Sequence, residues 1–263
     1  MLTSTRRREI LHRLITDGYV EAKTLADEMG VDASTIRRDL DALARAGQAQ
    51  RTHGGARPTP GVTAKLPYAM KENERLDAKS AIAQTAVDFV RDGDTVILDS
   101  GSTTYEIAVA LRHRTGLTVI TNDLRIAKYV AGLPETRLLV AGGELLGSAF
   151  TLVGEHAIAF LSEYTANWAF IGADAVDFEA GITNMNTLEV PLKRAMITAA
   201  TGTIVVADSS KFGRRALARI AGTEEVDHIV TDEELGPPLS DRLGERLIRV
   251  PLGSASRTTA REH

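Results

Sequence analysis

The sequence predicts an α/β protein in two parts: a small N-terminal winged helix-turn-helix, then a larger layered domain with a mostly parallel sheet. Three observations carry this. Within the first 57 residues, three short helical patterns, the last two separated by a glycine turn, precede a basic hairpin. From Asp92 onward, short apolar strands alternate with helical stretches, the pattern of parallel pairing. A Pro/Gly/Thr-rich stretch without apolar periodicity separates the two parts.

Arg6 to Thr16 reads as a helix with Ile10, Leu11, Leu14 and Ile15 facing inward, ended by Asp17-Gly18. Val20 to Met29 reads as a second helix, buried through Leu25, Ala26 and Met29. Gly30 turns into a third, where the Asp32 carboxylate is expected to accept first-turn N–H groups. Ile36, Leu40, Leu43 and Ala44 share one face of that helix, leaving Ser34, Thr35, Arg37, Arg38 and Asp41 opposite. Hydroxyls and adjacent guanidiniums suit phosphate oxygens, and a guanidinium can fork onto guanine O6 and N7. Alone, this helix also reads as an ordinary amphipathic one with a solvated basic edge. Its neighbours favour the nucleic-acid reading. Ala26, Gly30 and Ile36 have helix-turn-helix spacing, and Gln48–Ala56 reads as a two-stranded wing tipped by Arg51 and His53. A wing arginine suits a phosphate or an A·T-rich minor groove.

Ala56 to Ala64 reads as linker, and Leu66 to Val90 largely as helix, with Ile82, Ala83, Ala86, Val87 and Val90 on one side. Strands are expected at Thr95–Asp99, Leu117–Thr121, Arg137–Ala141, Trp168–Ile171, Thr203–Ala207 and His228–Thr231. Helices fall between them: one after Ser100–Thr104 to Leu111, one over Asp123–Ala131, and one over about Leu188–Ala200. The expected domains are residues 1–57 (DNA-binding), 58–75 (linker) and 76–252 (the α/β domain), with a polar, disordered tail at 253–263.

Composition narrows the class. Hydrophobic residues at 43% and charged ones at 25% suit a globular protein with a real core. The absence of cysteine excludes disulfides and cysteine zinc sites, and six scattered histidines are poor material for another metal centre. No apolar run approaches the roughly 20 residues of a membrane span, so a cytoplasmic setting without membrane contact is expected. Residues 1–60 carry ten Lys/Arg against eight Asp/Glu, a net of +2, whereas the remainder carries 21 against 27, a net of −6. A basic patch on an acidic body implies a few placed DNA contacts, made by a homo-oligomer.

In open α/β sheets, ligands gather at the carboxyl ends of the strands. The first strand ends in Asp99 and the loop Ser100-Gly101-Ser102-Thr103-Thr104, a phosphate cradle in miniature where it opens a helix. Helix capping is the plainer use of such a loop. Thr121 and Asn122, Gly142 and Gly143, Gly172-Ala173-Asp174, and Asp208-Ser209-Ser210-Lys211 stand at other strand ends. Lys211 can neutralise a phosphate there, and Asp99, Asp174 or Glu189 can accept sugar hydroxyl protons. Capping by Asn122 and Asp208, turn geometry for the glycines and a solvated salt bridge for Lys211 are the alternatives.

Thr35-Ile36-Arg37-Arg38-Asp39-Leu40 and Arg51-Thr52-His53-Gly54-Gly55-Ala56 resemble the most characteristic strings of the DeoR family of bacterial transcription regulators. In the second part, Leu98–Thr104, Val119–Asn122, Ala141–Gly143, Phe170–Asp174 and Asp208–Gly213 resemble that family's sugar-phosphate-sensing domain. The resemblance spans roughly residues 4–235. It implies a repressor of a carbohydrate operon that binds double-stranded operator DNA as a dimer or tetramer, without a cofactor. It assigns Ser34, Thr35, Arg37 and Arg38 to DNA and implies a phosphorylated sugar as effector. One departure is Ala78-Lys79, where the family often has Glu-Lys.

The sensing domain is also similar to ribose-5-phosphate isomerase, so the competing expectation is an isomerase-like enzyme fused to a DNA-binding module. Glu189 stands where such an enzyme has its base. Against catalysis, Ile171 replaces the first acid of the enzyme's Asp-Gly-Ala-Asp loop, and Gly181-Ile182-Thr183-Asn184 replaces its lysine-plus-glycine run.

Overall fold

The computed structural model of the chain describes residues 3–17, 19–59, 74–146, 150–237 and 239–252. The expected tail, most of the expected linker and the side chain of Ile15 lie outside the described residues. The chain divides into two compact units, Met1–Asn73 and Glu74–His263.

The first unit comprises α1 (Thr3–Asp17), β1 (Val20–Glu21), α2 (Ala22–Met29), α3 (Ala33–Arg45), β2 (Ala49–Thr52) and β3 (Gly55–Pro58). Its core gathers Ile10, Leu14, Leu25, Ile36 and Leu40, the inward stripes of the three helices. Gly30 closes α2 at φ 63, a left-handed conformation glycine adopts at little cost. Several expectations change here. Val20 and Glu21 are not helical but pair with Ala56 and Gly55, so the wing is a three-stranded sheet of order β1-β3-β2. The stretch expected to begin the linker is strand β3. Asp32 stands at the N-cap of α3, but its side chain makes no cap bond; its carbonyl accepts from Thr35 and Ile36 instead. Ala44 is only half-buried.

The second unit is built on seven parallel strands in the order β15-β14-β12-β9-β4-β5-β6. These are β4 (Thr95–Leu98), β5 (Thr118–Thr121), β6 (Arg137–Val140), β9 (Ala166–Gly172), β12 (Ala200–Val206), β14 (His228–Asp232) and β15 (Leu247–Val250). Successive residues point to opposite faces, and both faces are buried, which explains the continuous apolar strands. Val96, Leu98, Val119 and Phe170 pack on one face against α4 (Leu76–Ala86), α5 (Ser102–Ala110) and α6 (Leu124–Val130). Ile97, Ile120, Ala169 and Ile171 pack on the other against α7 (Glu155–Leu161) and α8 (Val190–Thr198). Helix α4 starts at Leu76, ten residues later than expected, and residues 66–73 lie outside the described residues.

Other short strands went unread in the sequence. The antiparallel hairpin β7 (Glu144–Leu146) and β8 (Thr151–Val153) follows β6, and β10 (Ala175–Asp177), β11 (Gly181–Asn184) and β13 (Ala218–Ala221) form a small antiparallel sheet. Each is three or four residues long, too short for an alternation pattern to show. Helix α9 (Leu239–Leu243) precedes the edge strand β15.

In the first unit, Asp39 is 2% exposed and accepts from Arg6 Nε at 2.6 Å and Arg7 Nε at 2.7 Å. Both arginines come from α1, so the ion pair clamps α1 onto α3. Arg6 is itself buried, and removing its partner strands a desolvated cation. Asp39→Ala is therefore expected to destabilise this unit by about 3–5 kcal/mol. Denaturant unfolding of the full chain should show an earlier first transition; an unchanged midpoint would dismiss the clamp.

Candidate functional sites

The first site is the outer face of α3. Ser34, Arg37 and Arg38 are exposed and Thr35 is half-buried. A helix turns 100° per residue, so Asp39 points into the core while its two preceding neighbours point out. Arg37 and Arg38 have no hydrogen-bond or ion-pair partner among the described residues, whereas Arg6, Arg7 and Arg13 of α1 are all paired. Two such guanidiniums in the N-terminal half of the helix are available to phosphates and base edges. Arg51 differs from expectation. Its Nε lies 2.8 Å from Asp41 and its Nη1 donates to the Gly55 carbonyl at 2.6 Å, so it ties the wing to α3. Asp41 is half exposed, and a solvated pair of this kind is worth at most about 1 kcal/mol, so exchange for a phosphate costs little. His53 is exposed at the wing tip.

The second site is the carboxyl edge of the parallel sheet. Asp99, directly after β4, is 1% exposed and accepts from the Gly172 amide at 2.9 Å. It also pairs with Lys193 of α8, which donates to the Gly172 carbonyl at 3.1 Å as well. Lys193 was missed in the sequence, although a lysine four residues after Glu189 on an otherwise apolar helix face was the available signal. Glu189 accepts from Asn184 at 3.2 Å and Asn186 at 2.9 Å, and Asp174 accepts from the Met185 amide at 2.9 Å. Burial pushes the Asp99 carboxyl up against the pull of Lys193 and the Gly172 amide. Burial by itself would lower the Lys193 pKa, but Asp99 and Glu189 outweigh it and raise it, so the ammonium stays charged. Asp174 adds to the same field. The structure thus gathers Asp99, Asp174 and Glu189 around one buried cation.

The loop after Asp99 leads into α5, whose N-cap is Gly101 at φ 155. No side chain caps this helix, so its first amides lack a side-chain acceptor and are suited to an anion. Ser102 is half-buried and Thr103 is 9% exposed. Thr104 corrects the expectation: fully buried, it donates to the Gly101 carbonyl at 3.0 Å. Thr121 corrects it too. Its hydroxyl donates to the Leu98 carbonyl at 2.8 Å and accepts from the Asp123 amide at 3.1 Å, which leaves it for strand pairing. Asn122 is held against β8 through the Leu152 carbonyl, at 3.1 Å, and Asp123 caps α6 instead. Gly143 is a packing requirement, since a Cβ there would sit 2.2 Å from the Val153 carbonyl oxygen. Two acceptors, Asp99 Oδ1 and Asn122 Oδ1, are buried without a donor among the described residues. They stand after β4 and β5, which are neighbours.

Lys211 ends a short 3-10 turn over Ser209–Lys211, capped by Asp208. It is half-buried and has no ion-pair partner among the described residues. Among the described residues there is no group of three or more His, Asp or Glu arranged to hold a metal ion.

Comparison with known proteins identifies the family. A family model described as the DeoR-like helix-turn-helix domain matches residues 6–59, and one described as the DeoR C-terminal sensor domain matches residues 74–233. The HTH-type transcriptional regulator GlpR of Haloferax volcanii is 34% identical over 235 residues, covering 89% of this chain and 92% of that protein. The glycerol-3-phosphate regulon repressor of Escherichia coli K12 is 30% identical over 240 residues, 91% of this chain and 94% of the relative. Among solved structures, ribose 5-phosphate isomerase A of Methanocaldococcus jannaschii aligns with a TM-score of 0.40 at 21% identity, over 53% of this chain and 55% of that one. At that TM-score it bears on neither activity nor ligand.

The buried pair makes its own prediction. Lys193→Met leaves Asp99 desolvated with only the Gly172 amide and should cost about 3–5 kcal/mol. Adding Asp99→Asn should recover part of that loss. Strictly additive unfolding energies in the double-mutant cycle would refute the coupling.

Proposed function

The chain belongs to the DeoR family of transcription regulators, and from that premise we propose that it is a repressor of a carbohydrate-metabolism operon controlled by a phosphorylated sugar or polyol. The observation that carries the DNA half is the pair of exposed guanidiniums, Arg37 and Arg38, unpartnered among the described residues, on the recognition helix. Ser34, Thr35 and the wing residues Arg51 and His53 complete the contact, with Arg51 exchanging Asp41 for a phosphate. Operator DNA is bound by a dimer or tetramer, which sets two recognition helices in successive major grooves about 34 Å apart. The acidic remainder of the chain limits binding to these placed contacts. The protein acts in the cytoplasm; among the described residues no helix is long and apolar enough to cross a membrane.

The effector sits at the carboxyl edge of the sheet. Its phosphate takes the uncapped amides of α5 around Gly101, Ser102 and Thr103, with Lys211 supplying countercharge. Its hydroxyls donate to the two unsatisfied acceptors, Asp99 Oδ1 and Asn122 Oδ1. Asp174 and Glu189 shape the polar wall. Binding without turnover is supported by the commitments of the charged groups. Both Glu189 oxygens accept from asparagines, Lys193 is spent on Asp99, and Ile171 offers no acid. A proton shuttle needs a free base at this place.

Two outcomes test this reading. Arg38→Ala should weaken operator binding by about 1–3 kcal/mol while sugar-phosphate binding persists, and gel retardation at equal affinity would remove the contact. Lys211→Ala, or Gly101→Val, should abolish the effector response and keep DNA binding. A phosphorylated-sugar thermal-shift screen identifies the ligand, because binding to the native state raises Tm; an unaltered dose response in both variants would remove those positions from the site.

A further inference from the structure

Arg75 is the second residue of the sensor unit, just past the boundary at Asn73, and it immediately precedes α4. Its backbone is left-handed, at φ 50 and ψ 41, a conformation that a non-glycine residue keeps only when its surroundings hold it there. The surroundings are three hydrogen-bond acceptors and one further carboxylate, which meets Nε as an ion pair without a hydrogen bond. Its Nη2 donates to Ser209 Oγ at 3.0 Å, Asp232 Oδ1 at 3.0 Å and Glu234 Oε2 at 2.8 Å, and its Nε lies 3.2 Å from Asp208 Oδ1. Asp208 lies two residues past β12 and Asp232 ends the neighbouring strand β14, and they are 3% and 0% exposed. Among the described residues, Arg75 is the cation paired with both.

These carboxylates in turn shape the turn that carries Lys211. Asp208 accepts from the Ser210 amide at 3.1 Å and, through its carbonyl, from the Lys211 amide at 3.0 Å. Asp232 accepts from the Ser209 amide at 2.7 Å. One guanidinium therefore joins the beginning of the sensor unit to the turn at which the proposed effector phosphate meets its lysine. A linear connection exists from Lys211 through Asp208 to Arg75, and from Arg75 along two residues of backbone to the segment that leads to the DNA-binding unit.

We propose that Arg75 is the positioning residue through which effector binding at the Lys211 turn reaches the DNA-binding unit. Anion capture moves that turn, the turn redistributes the carboxylates that grip Arg75, and the strained backbone at Arg75 changes where the chain enters α4. The inference rests on the effector site proposed above. It differs from it in predicting that neither ligand touches Arg75, so its loss separates coupling from binding.

The experiment uses the full chain, operator duplexes selected by it from random DNA, and a panel of phosphorylated sugars and polyols with inorganic phosphate. Operator affinity is measured with and without each probe, and probe binding is measured directly by calorimetry. A two-site coupling of this kind usually amounts to about 5- to 150-fold in affinity. In Arg75→Ala that factor should fall toward one, while operator affinity without probe and direct probe affinity stay near wild type. Amide exchange over Ser209–Phe212 should accelerate, and Arg75→Lys, which can hold fewer acceptors at once, should retain part of the coupling. A wild-type coupling factor in Arg75→Ala, or a loss fully accounted for by lost probe binding, overturns the inference and leaves the effector site standing. A wild-type chain whose operator affinity no probe alters overturns the effector site itself, and this inference with it. Should Arg75→Ala fail to fold, Arg75→Lys is judged by the same limits, with an undiminished factor overturning the proposal.

Discussion

The carboxyl edge of a parallel sheet concentrates unpaired backbone amides, and this chain answers them with aspartates that then have to be neutralised. Asp99, Asp123, Asp208 and Asp232 follow or end four strands of the sheet, and each is 3% exposed or less. Each accepts from backbone amides at that edge: Gly172 for Asp99, Arg125 and Ile126 for Asp123, Ser210 for Asp208, and Ser209 for Asp232. So many buried anions along one rim repel one another and are costly to desolvate. Three cations make the arrangement tenable: Lys193 on Asp99, Arg125 on Asp123, and Arg75 shared by Asp208 and Asp232.

Those cations come from outside the strands they serve. Lys193 comes from α8 and Arg75 from the residue before α4, so the rim is locked by elements on both helical layers. A rim of paired charges is also responsive. Adding an anionic ligand beside one of these pairs changes that pair's balance, because charges in low-dielectric surroundings are poorly screened. Under the proposed function, the contacts that hold these strand ends are the ones an anionic effector at this edge perturbs.

The DNA-binding unit uses charge in the opposite manner. Its buried anion, Asp39, is clamped by Arg6 and Arg7, which fixes α3 relative to α1. The neighbouring Arg37 and Arg38 are exposed and, among the described residues, unpartnered. Rigid placement and free cations are complementary requirements: base-edge hydrogen bonds demand geometry held by packing, and phosphate contacts demand charge that is not already spent. The exposed Arg51–Asp41 pair lies between these extremes, tying the wing to the helix while remaining exchangeable.

Local sequence determined a good deal. Helical spacing of Ile36, Leu40 and Leu43, the glycine at position 30, and the continuous apolar runs of β4, β5, β9 and β12 are all short-range signals, and they specify the helix-turn-helix and the parallel sheet. The edge loops at Asp99–Thr104 and Asp208–Lys211 were also legible as strand-end loops, the place where ligands gather in open α/β sheets. Tertiary structure decided which of those polar residues are free. Thr104 and Thr121 look like ligand donors in one dimension but are spent on carbonyls in three, whereas Lys193 and Arg75 lie 94 and 157 residues in sequence from Asp99 and Asp232, which they neutralise. Periodicity reports the environment of a few neighbouring residues; the partner of a buried charge is set by chain crossings that periodicity does not encode.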